Sequence, residues 1–121
     1  MTPMRAEQLG ELLLTQACLT WNEDEADDDD LGPVYWLAQL LRGRHLKDQE
    51  VCLEGDSASM SQVADVVDKL DVTTIPSCWA DYRERATKLL RNPTKRSGLV
   101  NKRLDLTQND NAERYLGKPL E

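Results

Sequence analysis

The chain has 121 residues, of which 40% are hydrophobic and 31% charged, and its formal net charge is −7. This length fits a single domain, residues 1–121, with one modest core. No stretch approaches the roughly 20 apolar residues of a membrane span, and Glu7 and Glu11 precede the first apolar run, which is unlike a signal peptide. We therefore expect no membrane partner and a cytoplasmic location.

The charges are unevenly distributed along the chain. Residues 1–82 carry five basic and seventeen acidic side chains, a net charge of −12. Residues 83–121 carry ten basic and five acidic side chains, a net charge of +5. This asymmetry predicts a charged partner and says little about the fold.

The first predicted helix covers residues 2–21. Thr2 and Pro3 are typical of an N-cap and the first helical position, and apolar residues recur at helical spacing as far as Trp21. Gly10 lies inside this helix and costs about 1 kcal/mol relative to alanine. We therefore expect either a closely packed neighbour at Gly10 or a marginal helix.

An acidic run follows, with the sequence NEDEADDDD at residues 22–30. Closely spaced carboxylates repel one another and stay hydrated, which predicts an acidic surface loop over residues 22–32. Part of the run resembles the start of a calcium-binding loop, with Gly32 at the sixth position. However, Leu31 and Ala38 occupy the fifth and twelfth positions, where calcium needs oxygen ligands, so no metal site is predicted.

A second helix is predicted to open at Gly32 and Pro33 and to end near Gly43. Its side chains are apolar on nearly every side, and Gln39 and Arg42 are the polar exceptions. Such a helix lies either at the centre of the core or partly under another chain.

Two further helices are predicted in the second half. Ser59 and Gln62 form a capping box ahead of apolar residues at helical spacing, which predicts a third helix reaching Leu70. Pro76 opens a fourth helix to about Arg91, whose predicted core stripe includes Ile75, Trp79, Tyr82, Ala86, Leu89 and Leu90.

The remaining segments are less regular. Residues 92–110 are predicted to be exposed, basic and irregular. The predicted fold is mainly α, a compact bundle of about four helices with an irregular C-terminal segment. The alternative is an α+β fold with one small strand pair between residues 50–54 and 102–106.

No catalytic motif is present. The chain lacks a phosphate-binding glycine loop and a nucleophile elbow, and its three cysteines, Cys18, Cys52 and Cys78, have no metal-binding spacing. A lone His45 with Cys52 gives no geometry for nucleophilic catalysis. We expect no enzyme activity, no cofactor and no metal.

The favoured function is therefore a non-enzymatic acidic protein-binding module. Its partner would be a basic protein or nucleoprotein complex, with carboxylates for electrostatic steering and aromatic side chains as desolvated anchors. Small acidic helical anti-defence proteins of phages and nuclease immunity proteins have a similar composition, which suggests a stoichiometric inhibitor of a nucleic-acid-handling protein. The predicted partner-binding residues are Glu23, Asp24, Glu25, Asp27, Asp28, Asp29, Asp30, Tyr35 and Trp36.

Two alternatives remain open. The first is a small nucleic-acid-binding or regulatory subunit that uses the basic residues of segment 83–103 for phosphate contacts. These residues are Arg83, Arg85, Lys88, Arg91, Lys95, Arg96, Lys102 and Arg103. The second is a structural assembly subunit, such as a homo-oligomer, held together through the apolar second helix.

Overall fold

The computed structural model describes residues 2–18, 28–92 and 103–107 of the chain. In chain order the elements are β1 (Thr2–Arg5), α1 (Ala6–Leu12), a π-helical segment (Leu13–Cys18), α2 (Asp28–Arg42), β2 (Glu50–Leu53), β3 (Ser57–Ser59), α3 (Met60–Asp68), α4 (Ser77–Arg91) and β4 (Arg103–Asp105). The described part is mostly helical and adds two small antiparallel strand pairs. The predicted mainly helical character is thus confirmed, and the two strand pairs are compatible with the α+β alternative.

The strands pair differently from the prediction. Residues 50–53 and 103–105 are both extended, but they do not pair with each other: β2 pairs with β1, and β4 pairs with β3. Met4 of β1 lies opposite Val51 of β2, and both side chains are buried. Gly55, with φ of +74°, turns the chain between β2 and β3, so that β3 rather than β2 meets β4.

The first helix starts later than predicted. Thr2 and Pro3 belong to β1, where proline is tolerated because edge strands do not need its N–H. Helix α1 begins at Ala6, and the backbone N–H of Arg5 donates to Oε1 of Gln8 at 2.9 Å. Helical backbone continues to Cys18 through the π-helical segment, and the predicted end at Trp21 lies outside the described residues.

Helix α2 lies at the centre of the core and packs against both α1 and α4. Its buried apolar side chains are Val34, Leu37, Ala38, Leu40 and Leu41. Burial from two sides explains the apolar character of α2. The helix therefore lies at the centre of the core, which was the first of its two expected positions. Helix α2 also begins earlier than predicted, at Asp28, and residues 28–32 are therefore helical rather than loop.

Helices α3 and α4 confirm their predictions. Ser59 caps α3, because its Oγ accepts the backbone N–H of Gln62 at 3.2 Å while its own N–H donates to Oε1 of Gln62 at 2.8 Å. Helix α4 follows Pro76 directly. In the segment predicted to be irregular, β4 is extended, and Leu104 and Leu106 are buried.

Two glutamine side chains bind the backbone of distant segments. Gln16 donates to the carbonyl of Asp105 at 2.9 Å and accepts its N–H at 2.6 Å, so its amide occupies the position of a strand neighbour beside β4. Gln49 binds Asp71 in the same way, at 2.7 and 2.8 Å. The Gln16 pair attaches β4 to the π-helical segment. The Gln49 pair attaches the segment after α3 to the residue before β2.

Candidate interaction surface

Of the seven predicted acidic residues, the structure describes the backbone of three, which begin helix α2. Asp28, Asp29 and Asp30 are the first residues of α2, whose N-terminal end carries a partial positive charge that favours carboxylates. The other predicted carboxylates, Glu23, Asp24, Glu25 and Asp27, lie outside the described residues. The backbone of residues 28–38 is helical, which is not the conformation of an EF-hand loop.

The two predicted aromatic anchors lie further along α2. Trp36 has 39% of its surface exposed, whereas Tyr35 is half-buried. Asp29 precedes Trp36 by seven residues, so the two backbone positions lie on the same side of the helix, roughly 10 Å apart. The backbone positions of Asp29 and Trp36 therefore lie along one side of α2.

Tyr35 is held by a polar chain that runs along α2. Gln39 and Arg42, the two polar residues of the predicted apolar helix, are 1% and 4% exposed. Arg42 Nη1 donates to Oε1 of Gln39 at 2.6 Å, and Nε2 of Gln39 donates to the Tyr35 hydroxyl at 3.1 Å. Buried hydrogen bonds of this kind restrict the tyrosine to one orientation.

Four aromatic side chains form a continuous row across α2 and α4, which we call the aromatic row: Tyr35, Trp36, Trp79 and Tyr82. Tyr35 meets Trp36 edge-on, with ring centroids 5.2 Å apart and planes at 80°. Trp36 lies 6.3 Å from Trp79, and Trp79 lies 5.5 Å from Tyr82. Tyr82 is 37% exposed, so both α2 and α4 present an aromatic side chain at the surface.

The sequence prediction placed Trp79 and Tyr82 in the core, and that placement was wrong for Tyr82. The buried residues of α4 are Ala86, Thr87 and Leu90, while Trp79 is half-buried at the edge of the core. A signal was present in the sequence, because Tyr82 shares its helical face with Arg85, three residues on. An aromatic residue in line with an arginine is more typical of a surface stripe than of a core position.

Two of the predicted basic residues are already bound to carboxylates of α3. Arg83 Nη1 lies 3.1 Å from Oδ1 of Asp68, and Arg91 Nη2 lies 3.1 Å from Oδ1 of Asp65 and also contacts Asp68. The hydrogen bonds that Arg91 donates to Asp68, and then to Asp65, raise the pKa of Arg91 above its ordinary value. These ion pairs join α3 to α4 and neutralise part of the proposed basic surface.

The other basic residues are scattered. Lys88 pairs with Glu84 at 3.6 Å along α4, and Nε of Arg103 donates to Oγ of Ser57 at 3.1 Å. Arg85 is exposed and makes no ion pair in the described ranges. Lys95, Arg96 and Lys102 lie outside these ranges. The described basic residues of segment 83–103 therefore do not form a cluster of unpaired cations.

An open groove of about 420 Å³ lies along the outer face of α4. Its lining residues are Cys78, Asp81, Tyr82, Glu84, Arg85 and Lys88. Acidic and basic side chains alternate along it, so the groove has no single charge preference.

Neither a metal site nor a membrane span is found where the structure can be described. No group of three or more His, Cys, Asp or Glu side chains among the described residues is placed to hold a metal ion. None of the helices described is both long and apolar enough to cross a bilayer.

Comparison of the chain with protein-family models, with curated proteins and with solved structures found no match.

Proposed function

We propose that the protein is a non-enzymatic binding module for a basic protein or nucleoprotein complex, and that it acts as a stoichiometric inhibitor of a nucleic-acid-handling protein. The observation that carries this proposal is the aromatic row, exposed at Trp36 and Tyr82. Exposed tryptophan and tyrosine side chains commonly dominate the binding energy of protein interfaces.

The acidic residues at the start of α2 complete the proposed surface. Charge at that position attracts a basic partner over a distance of about 10 Å at moderate salt and raises its association rate. Carboxylates alone bind weakly because water screens them, so a desolvated aromatic neighbour is needed to slow dissociation. The backbone positions of Asp29 and Trp36 share one side of α2, which supports joint use by one partner.

The structure gives less support to the two alternative functions, a nucleic-acid-binding subunit and an assembly subunit. A nucleic-acid site would have to compete with Asp65 and Asp68 for Arg83 and Arg91. An assembly through the second helix was suggested by its all-round apolar surface, and most of that surface is buried against α1 and α4.

The test compares two variants of equal charge for binding to a labelled arginine-rich peptide. In the first, Asp28, Asp29 and Asp30 are changed to serine, which also favours helix N-termini. In the matched control, the exposed residues Asp48, Glu54 and Asp56, which follow α2 in the chain, are changed to serine.

We expect salt-sensitive binding that the first variant loses and the control largely keeps. Equal losses in both variants would show that only net charge matters. Absence of binding by the unmodified protein, even at low salt, would contradict the proposed function.

A further inference from the structure

We propose that the aromatic row seats a cationic side chain of the partner, in the first place an arginine. This inference rests on the proposed function and deepens it, because it names the group that the surface recognises.

The row offers accessible ring surface for such a contact. Aromatic faces carry a negative potential, and a guanidinium within about 6 Å of a ring centroid is attracted to it. Trp36 and Trp79 are tilted by 36° with centroids 6.3 Å apart, and Tyr35 stands nearly perpendicular to Trp36. Trp36 keeps 39% of its surface exposed, so its ring is accessible to a partner side chain.

The surrounding charges determine which end of the row is used. At the α4 end, Tyr82 shares a groove with two acidic and two basic side chains, whose charges balance: Asp81, Glu84, Arg85 and Lys88. This end of the row therefore offers a cation no net attraction. At the α2 end, the backbone position of Asp29 lies on the same side of the helix as Trp36. We therefore place the cation against Trp36 and Trp79.

Arginine fits this position better than lysine or an apolar side chain. Its guanidinium is planar and weakly hydrated, and it stacks on aromatic rings while still donating hydrogen bonds at its edge. A lysine ammonium is compact and strongly hydrated, so it gains less from the rings. An acidic segment would be repelled by the aspartates at the start of α2.

The experiment measures the affinities of three labelled peptides, hexa-arginine, hexa-lysine and neutral hexa-citrulline, at one ionic strength. The protein is compared with Trp36→Leu, which keeps apolar surface but removes the aromatic face, and with Trp36→Phe, which keeps a ring. Because Trp36 is partly exposed, both variants are expected to fold, and circular dichroism checks this. Arg85→Gln serves as an independent variant that does not alter the row.

The unmodified protein should bind hexa-arginine more tightly than hexa-lysine. Trp36→Leu should reduce hexa-arginine affinity by about 2- to 30-fold, the range of one cation–π contact, and should remove most of the preference over hexa-lysine. Trp36→Phe should retain part of that preference. Arg85→Gln should leave the preference intact and strengthen binding of both basic peptides.

Three results would overturn the inference. An arginine preference unchanged in Trp36→Leu would remove the aromatic row from recognition while leaving an acidic binding surface in place. Equal binding of hexa-citrulline would indicate apolar docking without a cation. Failure of both basic peptides to bind the unmodified protein would contradict the proposed function as well.

Discussion

Gly10 determines how closely α1 approaches α2. A β-carbon there would lie 2.6 Å from the carbonyl oxygen of Ala38 and 2.9 Å from Cγ of Arg42. Helix propensity alone would favour alanine by about 1 kcal/mol. The backbone contact cannot relax easily, so we expect Gly10→Ala to lower the free energy of unfolding by about 1–3 kcal/mol, measured by urea denaturation. A variant as stable as the unmodified protein would show that the two helices are not in such close contact.

The carboxylate of Asp71 makes the free energy of unfolding depend on pH in the acidic range. Its pKa lies below the ordinary value of 3.8 because the backbone N–H of Thr73 donates to its carboxylate at 3.0 Å, and the Thr73 hydroxyl donates at 2.8 Å. The pKa of Asp71 is lower in the folded state than in the unfolded state. The stabilisation is therefore fully present at a pH above the unfolded-state pKa, and it is lost as the pH falls through the folded-state pKa.

We therefore expect the stability advantage of the protein over Asp71→Asn to be present at neutral pH and to shrink as the pH falls below 3.8. The asparagine keeps an acceptor for Thr73 but does not titrate. Urea denaturation of both proteins across this pH range measures the difference. A difference that does not vary with pH would mean that the Asp71 charge has no role in this turn.

At the scale of elements, the cap of α3 is the clearest local determinant of a helix start. Removing the Ser59 hydroxyl in Ser59→Ala leaves the Gln62 N–H without its acceptor, and we expect a loss of about 0.5–2 kcal/mol. Ser61→Ala, two residues further on and exposed, is the matched control and should change stability by less than about 0.5 kcal/mol. Thermal or urea unfolding measures both variants. Equal effects would show that the cap does not stabilise α3.

Local signals of this kind explain which elements could be predicted from the sequence. The start of α3 follows from Ser59 and Gln62, and the start of α4 follows from Pro76, because each signal acts within one turn of helix. Thr2 and Pro3 carry an equally local helix signal, yet burial of Met4 opposite Val51 makes this segment a strand. Tertiary contacts there outweigh propensity.

Strand partners and the aromatic row depend on contacts between distant residues. The amide of Gln16 binds the backbone of Asp105, 89 residues away, and no sequence pattern indicates such a pair. Trp36 and Trp79 come together only because α2 packs on α4. The sequence indicated Tyr35 and Trp36 as anchors from their position beside the acidic run, but not their aromatic partners on α4.

At the scale of the whole molecule, the charge asymmetry of the sequence is partly cancelled by folding. Arg83 and Arg91, from the basic half, bind Asp65 and Asp68, from the acidic half. This contact neutralises basic groups of α4. The net charge of −7 therefore still favours a basic partner.

The most direct test of this account follows a labelled DNA duplex by electrophoretic mobility at low salt, first with the protein alone and then with the duplex already bound to an arginine-rich peptide. We expect the protein alone to leave the duplex unshifted and to release it from the peptide in proportion to the amount added. Binding of the duplex by the protein itself, weakening with salt with a log–log slope of about −0.9 per phosphate contact, would contradict the account and assign function to the basic segment.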